Sequence, residues 1–156
     1  MIAEYESESR DPLLSAPRQY GLAQSHKHLP EMAKLCGLDH APVFSPIVAP
    51  YYAGMEVTVP LTPDLTSASV EEIREVYRAY YREGLIRFAD APDESGFLSA
   101  GAFAGRDDLE VSVFGNDERI LLVSRFDNLG KGASGAAIQN MNLVLGLEEE
   151  KGLNVK

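Results

Sequence analysis

Two rhythms of apolar and polar residues run along this chain, and the switches between them mark its elements. MIAEYE opens with helical spacing and no cap before it. Ser7–Pro17, with charge, serine and two prolines, reads as an exposed loop. Gln19–Ala23 reads as a short strand. Leu29–Cys36 reads as a short helix, because Pro30 suits a first helical turn where its missing N–H is not needed, and Gly37 suits the C-terminal cap. Val43–Thr62 is rich in β-branched and aromatic residues but broken by Pro46, Pro50 and Gly54, which predicts two strands, the second over Met55–Leu61.

The pattern then turns helical. Ser69-Val70-Glu71-Glu72 is a capping box, and Val70, Ile73, Tyr77 and Tyr80 follow at helical spacing, with Val76 and Tyr81 widening the stripe. Gly84 stops that helix. Leu85–Phe88, Leu109–Phe114 and Ile120–Phe126 read as strands, with a turn at Asn116-Asp117 and a last helix from about Ala133 to Leu147. This order predicts an α+β fold, a mixed or antiparallel sheet with helices on one face. The strands from Met55 to Phe126 carry more apolar residues than one short helical layer covers, so self-association through the sheet face is expected.

Composition narrows the class. The 156 residues suit one domain with a real core, and 45% apolar content suits a globular chain. Net charge is −10, from 24 acidic against 14 basic residues, which disfavours a phosphate backbone as partner. A small anion in a local cleft remains compatible with it. No apolar run is long enough to span a bilayer, and the N-terminus is acidic, so neither a membrane span nor a signal peptide is expected. One cysteine, Cys36, forms no internal disulfide and points to no oxidising compartment.

Candidate chemistry concentrates in two places. SHKHLPEM holds His26, His28 and Glu31 within six positions. A metal there would need a further ligand, and His40 has no second carboxylate cluster or cysteine pair beside it, so no metal is expected. An acid–base role asks only for an imidazole and a partner such as Glu31 to set its tautomer. Exposed histidines without a role also satisfy the spacing, and His40 stays with that reading. Gly130-Lys-Gly132-Ala-Ser-Gly135 matches GxGxxG between a strand and a helix, yet too little chain follows for a dinucleotide fold. Its small residues allow close approach either by another element or by a ligand. Cys36, near the end of an apolar helix, reads as a buried structural cysteine rather than a nucleophile. The residues alone thus leave an acidic α+β domain with no complete catalytic set.

SHKHLPEM together with DNLGKGASGAAIQNMNLVLGL, from Asp127 to Leu147, resembles the N-acetyl-γ-glutamyl-phosphate reductases of arginine biosynthesis. That family shows an HxHxPE turn and a DNLxKGAxGxAxQNMNLxxGL segment, and the resemblance spans nearly the whole chain. It implies a fold similar to the C-terminal domain of glyceraldehyde-3-phosphate dehydrogenase and a homo-oligomer, dimer or tetramer. It implies a cytoplasmic, NADP-dependent enzyme acting on a small acyl phosphate. By motif position His26 is the general acid–base, His28 and Glu31 contact or orient substrate, and Asn128, Gly132 and Ala133 lie near the cofactor. The family's cofactor domain and its cysteine loop do not match anything here, and Cys36 is not that nucleophile. Residues 1–156 are therefore expected to be the C-terminal domain of a larger reductase, with the last helix packing on the absent domain. A standalone interaction domain that keeps the fold without the chemistry is the alternative.

Overall fold

The computed structural model describes residues 2–156, so Met1 of the expected first helix lies outside it. Residues up to Tyr51 and residues Tyr52–Lys156 pack as two compact units.

In the first unit, helix α1 (Ile2–Tyr5) is a single turn. The expected Ser7–Pro17 loop contains a 3₁₀ turn over Pro12–Ser15, capped by Asp11, whose carboxylate accepts from the Leu13 N–H at 2.8 Å. Strand β1 (Arg18–Gln19) pairs antiparallel with β2 (Ile47–Val48). The expected strand Gln19–Ala23 is thus shortened and shifted. Gly21 adopts φ +65°, which leaves the extended region and turns the chain out of the ladder. Helix α2 (His28–Cys36) ends at Gly37 in the left-handed region, as the sequence predicts. It buries only Leu29, and its last turn projects into solvent. Cys36 is accordingly exposed, which corrects the buried reading.

The second unit is a four-stranded mixed sheet, ordered β3 (Met55–Leu61), β6 (Arg119–Phe126), β5 (Leu109–Asn116), β4 (Ile86–Phe88). The β3–β6 and β6–β5 pairs are antiparallel, and β4–β5 is parallel. A two-residue turn joins β5 to β6, where the Asn116 side chain accepts from the Glu118 and Arg119 N–H groups. Helix α3 (Val70–Tyr80) carries the predicted capping box, and Asp117 in that turn accepts from the Val70 N–H as a second cap. Val70, Ile73, Tyr77 and Tyr81 are half-buried toward the sheet, whereas Val76 and Tyr80 on the flank are 64% and 79% exposed. The apolar stripe is therefore narrower than its composition implies.

A parallel pair needs a long crossover, and residues 89–108 supply it. Arg125 of β6 fastens this crossover from within the sheet, with its side chain 4% exposed. The guanidinium donates to Glu110 at 2.8 and 3.0 Å, to Glu94 at 3.0 Å and to the Pro92 carbonyl at 3.1 Å. Phe103, in a 3₁₀ turn over Ala100–Phe103, is buried with Arg106 and Arg125 over its ring. Such a buried cation keeps its charge because two carboxylates and a carbonyl replace the lost water.

Candidate active site

The residues singled out by sequence form two clusters, one in each unit. The first is built on the start of α2. The His28 N–H, the first backbone donor of that helix, points back to His26 Nδ1 at 3.3 Å, and the Leu29 N–H donates to the His26 carbonyl at 3.0 Å. Residue 26 therefore satisfies two of the four N–H groups that a helix start leaves without partners. An Nδ1 that accepts carries no proton, so the neutral ring holds its hydrogen on Nε2.

Three rings surround this imidazole. His28 lies edge-on with centroids 4.7 Å apart, Phe44 is tilted at 5.0 Å, and Tyr20 approaches edge-on at 6.0 Å. His26 is half-buried among them, while His28 and Glu31 are exposed. Among the described residues no hydrogen bond joins Glu31 to either histidine. The tautomer-setting contact expected of Glu31 comes instead from the His28 backbone. Tyr20 and Phe44 were not legible as neighbours of His26. Their approach depends on the pairing of β1 with β2, which two two-residue strands hardly announce. His40 lies exposed, and no group of three or more metal-ligating side chains is found among the described residues.

The second cluster is the glycine-rich turn after β6. Gly130–Ser134 forms a π-helical turn, and the α-helix proper, α4, runs over Gly135–Val144. The last helix thus begins two residues later than the expected Ala133, because a wider turn precedes it. Its geometry is set by Asp127, which is 2% exposed. One carboxylate oxygen accepts from the Leu129 and Gly130 N–H groups at 2.6 and 3.0 Å, and the other accepts from the Gly105 N–H. Burial alone would raise its pKa, but these three donors outweigh it and hold the carboxyl below its usual range.

The three glycines of the motif divide by role. A Cβ at Gly130 would meet the Arg106 carbonyl oxygen at 2.4 Å, and one at Gly135 would meet an Asp107 carboxylate oxygen at 2.3 Å. Those two serve close packing within the unit. Gly132 and Ala133 are exposed, although a Cβ at Gly132 would still meet the Phe126 ring at 3.1 Å. Asn128 is also exposed, and its side-chain oxygen accepts from the Gly54 N–H at 3.0 Å. Lys131 turns inward to Gln139. Burial lowers its pKa, and Glu149, Asp107 and Asp108 oppose that only in part.

The family model for the dimerisation domain of semialdehyde dehydrogenases matches residues 6–128, and the chain belongs to that family. Among curated relatives it is 46% identical over 145 residues to N-acetyl-gamma-glutamyl-phosphate reductase 2 of Nostoc sp.. It is 40% identical over 151 residues to N-acetyl-gamma-glutamyl-phosphate reductase of Sinorhizobium fredii. These matches cover 86% and 93% of this chain but 45% and 49% of the relatives, so the chain spans about half their length. Among solved structures, aspartate semialdehyde dehydrogenase II from Vibrio cholerae shares the fold, with TM-score 0.51 and 19% identity over 65% of this chain and 30% of that one.

Proposed function

We propose that this chain is the C-terminal, catalytic and self-associating half of an N-acetyl-γ-glutamyl-phosphate reductase. The observation that carries this reading is its 40–46% identity to reductases of that name over most of its length. In the reaction, a cysteine thiolate from outside these residues displaces phosphate from the acyl phosphate and forms a thioester. NADPH, when bound, supplies the hydride. His26 is the acid–base group of this reading: its Nε2–H donates a hydrogen bond to the carbonyl oxygen as negative charge develops there, and the thiohemiacetal oxyanion so held then re-forms the carbonyl, expelling the thiolate and releasing the semialdehyde. His28 and Glu31, exposed beside it, contact substrate. Gly132 and Ala133, poor in side chain, fit close approach of the cofactor, with Asn128 beside them.

No helix among the described residues is long and apolar enough to cross a membrane, and as a biosynthetic reductase the enzyme would work in the cytoplasm. In α4 and the residues after it, Met141, Leu143, Val144, Leu145 and Leu147 are exposed, and we place the cofactor-binding half of the enzyme against them. The protein that carries this chain should oxidise NADPH when given N-acetylglutamyl phosphate, whereas residues 1–156 alone should give no turnover. A folded full-length protein without that turnover would overturn the assignment.

Self-association has its own support. On the face that α3 packs against, β3 exposes Met55, Val57 and Val59, the last 48% exposed. Alternation puts these three on one side of the strand, beside a groove lined by Ile73, Val76, Tyr77 and Leu122. A second copy would cover this continuous apolar surface. Light scattering should return at least twice the 17.0 kDa chain mass. A monomer at high concentration would count against it.

A further inference from the structure

We propose that Gln24 is a positioning residue for His26, an inference that rests on the acid–base role just assigned to that histidine. The β1–β2 register pairs Arg18 with Val48 and Gln19 with Ile47, and the Tyr20 N–H continues it to the Pro46 carbonyl at 3.0 Å. Carried two residues further, the same register would set residue 22 opposite Phe44. The backbone does not arrive there, because Gly21 has turned away.

The Gln24 side chain takes the vacant rung. Its Nε2 donates to the Phe44 carbonyl at 2.7 Å, and its Oε1 accepts from the Phe44 N–H at 2.9 Å. A primary amide carries the same donor and acceptor pair as a peptide group, so it closes the ladder as a strand residue would. Nε2 also reaches back to the Gly21 carbonyl at 3.3 Å, and the Gln24 N–H donates to that oxygen at 3.0 Å. One side chain thus ties the turn that leads into His26 to the segment that holds Phe44 against the His26 ring.

The backbone of Gln24 bears strain for this arrangement. Its φ of +51° is rare for a residue with a side chain. Strain of this sort persists where surrounding bonds over-determine it, and it concentrates at functional sites. A residue needed only for the turn would be glycine. Glutamine at this conformation is explained by what its amide does two residues before the acid–base group.

That contrast supplies the test. Gln24→Gly relaxes the strained backbone and removes the amide, so thermal unfolding should move by only a few degrees. In the isotope-labelled chain, exchange of the Phe44 amide should quicken by about tenfold, and the His26–Phe44 ring contact should vanish from nuclear Overhauser spectra. In the full-length enzyme, kcat should fall by about 10- to 100-fold with KM little changed, as for a displaced catalytic group. If the glycine variant unfolds, Gln24→Glu carries the same test, since it keeps the side-chain length but cannot donate to the Phe44 carbonyl. Retained Phe44 protection and ring contact would overturn the proposal. So would a lost contact with unchanged kcat, which would leave the reductase assignment standing. If the wild-type enzyme shows no turnover, the assignment fails instead, and the ring contact alone decides for or against Gln24.

Discussion

Replacing His26 with alanine in the full-length protein is expected to lower kcat for acyl-phosphate reduction by about 10²–10⁴, the range for a positioned acid–base group. Alanine alone would confound two effects, because the same ring accepts from the His28 N–H at the start of α2. His26→Asn separates them. Its side-chain oxygen accepts from a nearby helix-start N–H as capping residues do, so the helix keeps its cap. The variant carries no imidazole proton and should lose activity nearly as far as alanine does. His28→Ala leaves the backbone donor in place and removes an exposed ring, so its effect should fall on KM. Steady-state kinetics on the three variants, with unfolding midpoints measured alongside, gives the answer. An asparagine variant as active as wild type would remove His26 from the chemistry and leave it a helix cap.

Asp127→Ala should destabilise the second unit by about 3 kcal/mol or more. Three N–H groups, from Gly105, Leu129 and Gly130, converge on this buried carboxylate, and alanine leaves them without an acceptor. The pH dependence follows from the same donors. They hold the folded-state pKa below the unfolded value of about 3.9. The stabilisation is therefore fully present above that value and is lost as pH falls through the folded-state pKa. Urea unfolding should show a wide gap between wild type and Asp127→Asn at neutral pH, narrowing in strong acid. A gap that stays constant from neutral pH into strong acid would show that the carboxylate charge contributes nothing.

The two sites differed in how much of each could be read from sequence. The His26–His28–Glu31 spacing announces a turn with titratable groups, but its decisive contacts are to Tyr20, Phe44 and a backbone N–H. None of these has a side-chain pattern of its own. In the glycine-rich turn the motif was plain, and its meaning was not. Whether Gly130 and Gly135 make room for a ligand or for Arg106 and Asp107 depends on where the crossover passes. Cys36 reads as buried because its neighbours are apolar, yet α2 buries only Leu29. Apolar character states what a residue would gain by burial, and the available neighbours decide whether it is buried.

By itself, the sequence determined the local elements. The capping box at Ser69 and the left-handed cap at Gly37 arise from interactions within a few residues of chain, and the strands Met55–Leu61, Leu109–Phe114 and Ile120–Phe126 show in the alternation of their own residues. Periodicity and turn chemistry report such interactions directly. Only the tertiary structure decided that β4 runs parallel to β5 and that Arg125 reaches from β6 to Glu94, Glu110 and the crossover. It likewise decided that Asp127 gathers N–H groups from both sides of the sheet's last strand and that Gln24 stands in for a strand residue opposite Phe44. The contacts of Arg125, of Asp127 with Gly105, and of Gln24 with Phe44 join positions 15 to 33 residues apart. They place polar groups where burial makes each hydrogen bond obligatory, and no local pattern encodes which distant partner will satisfy it.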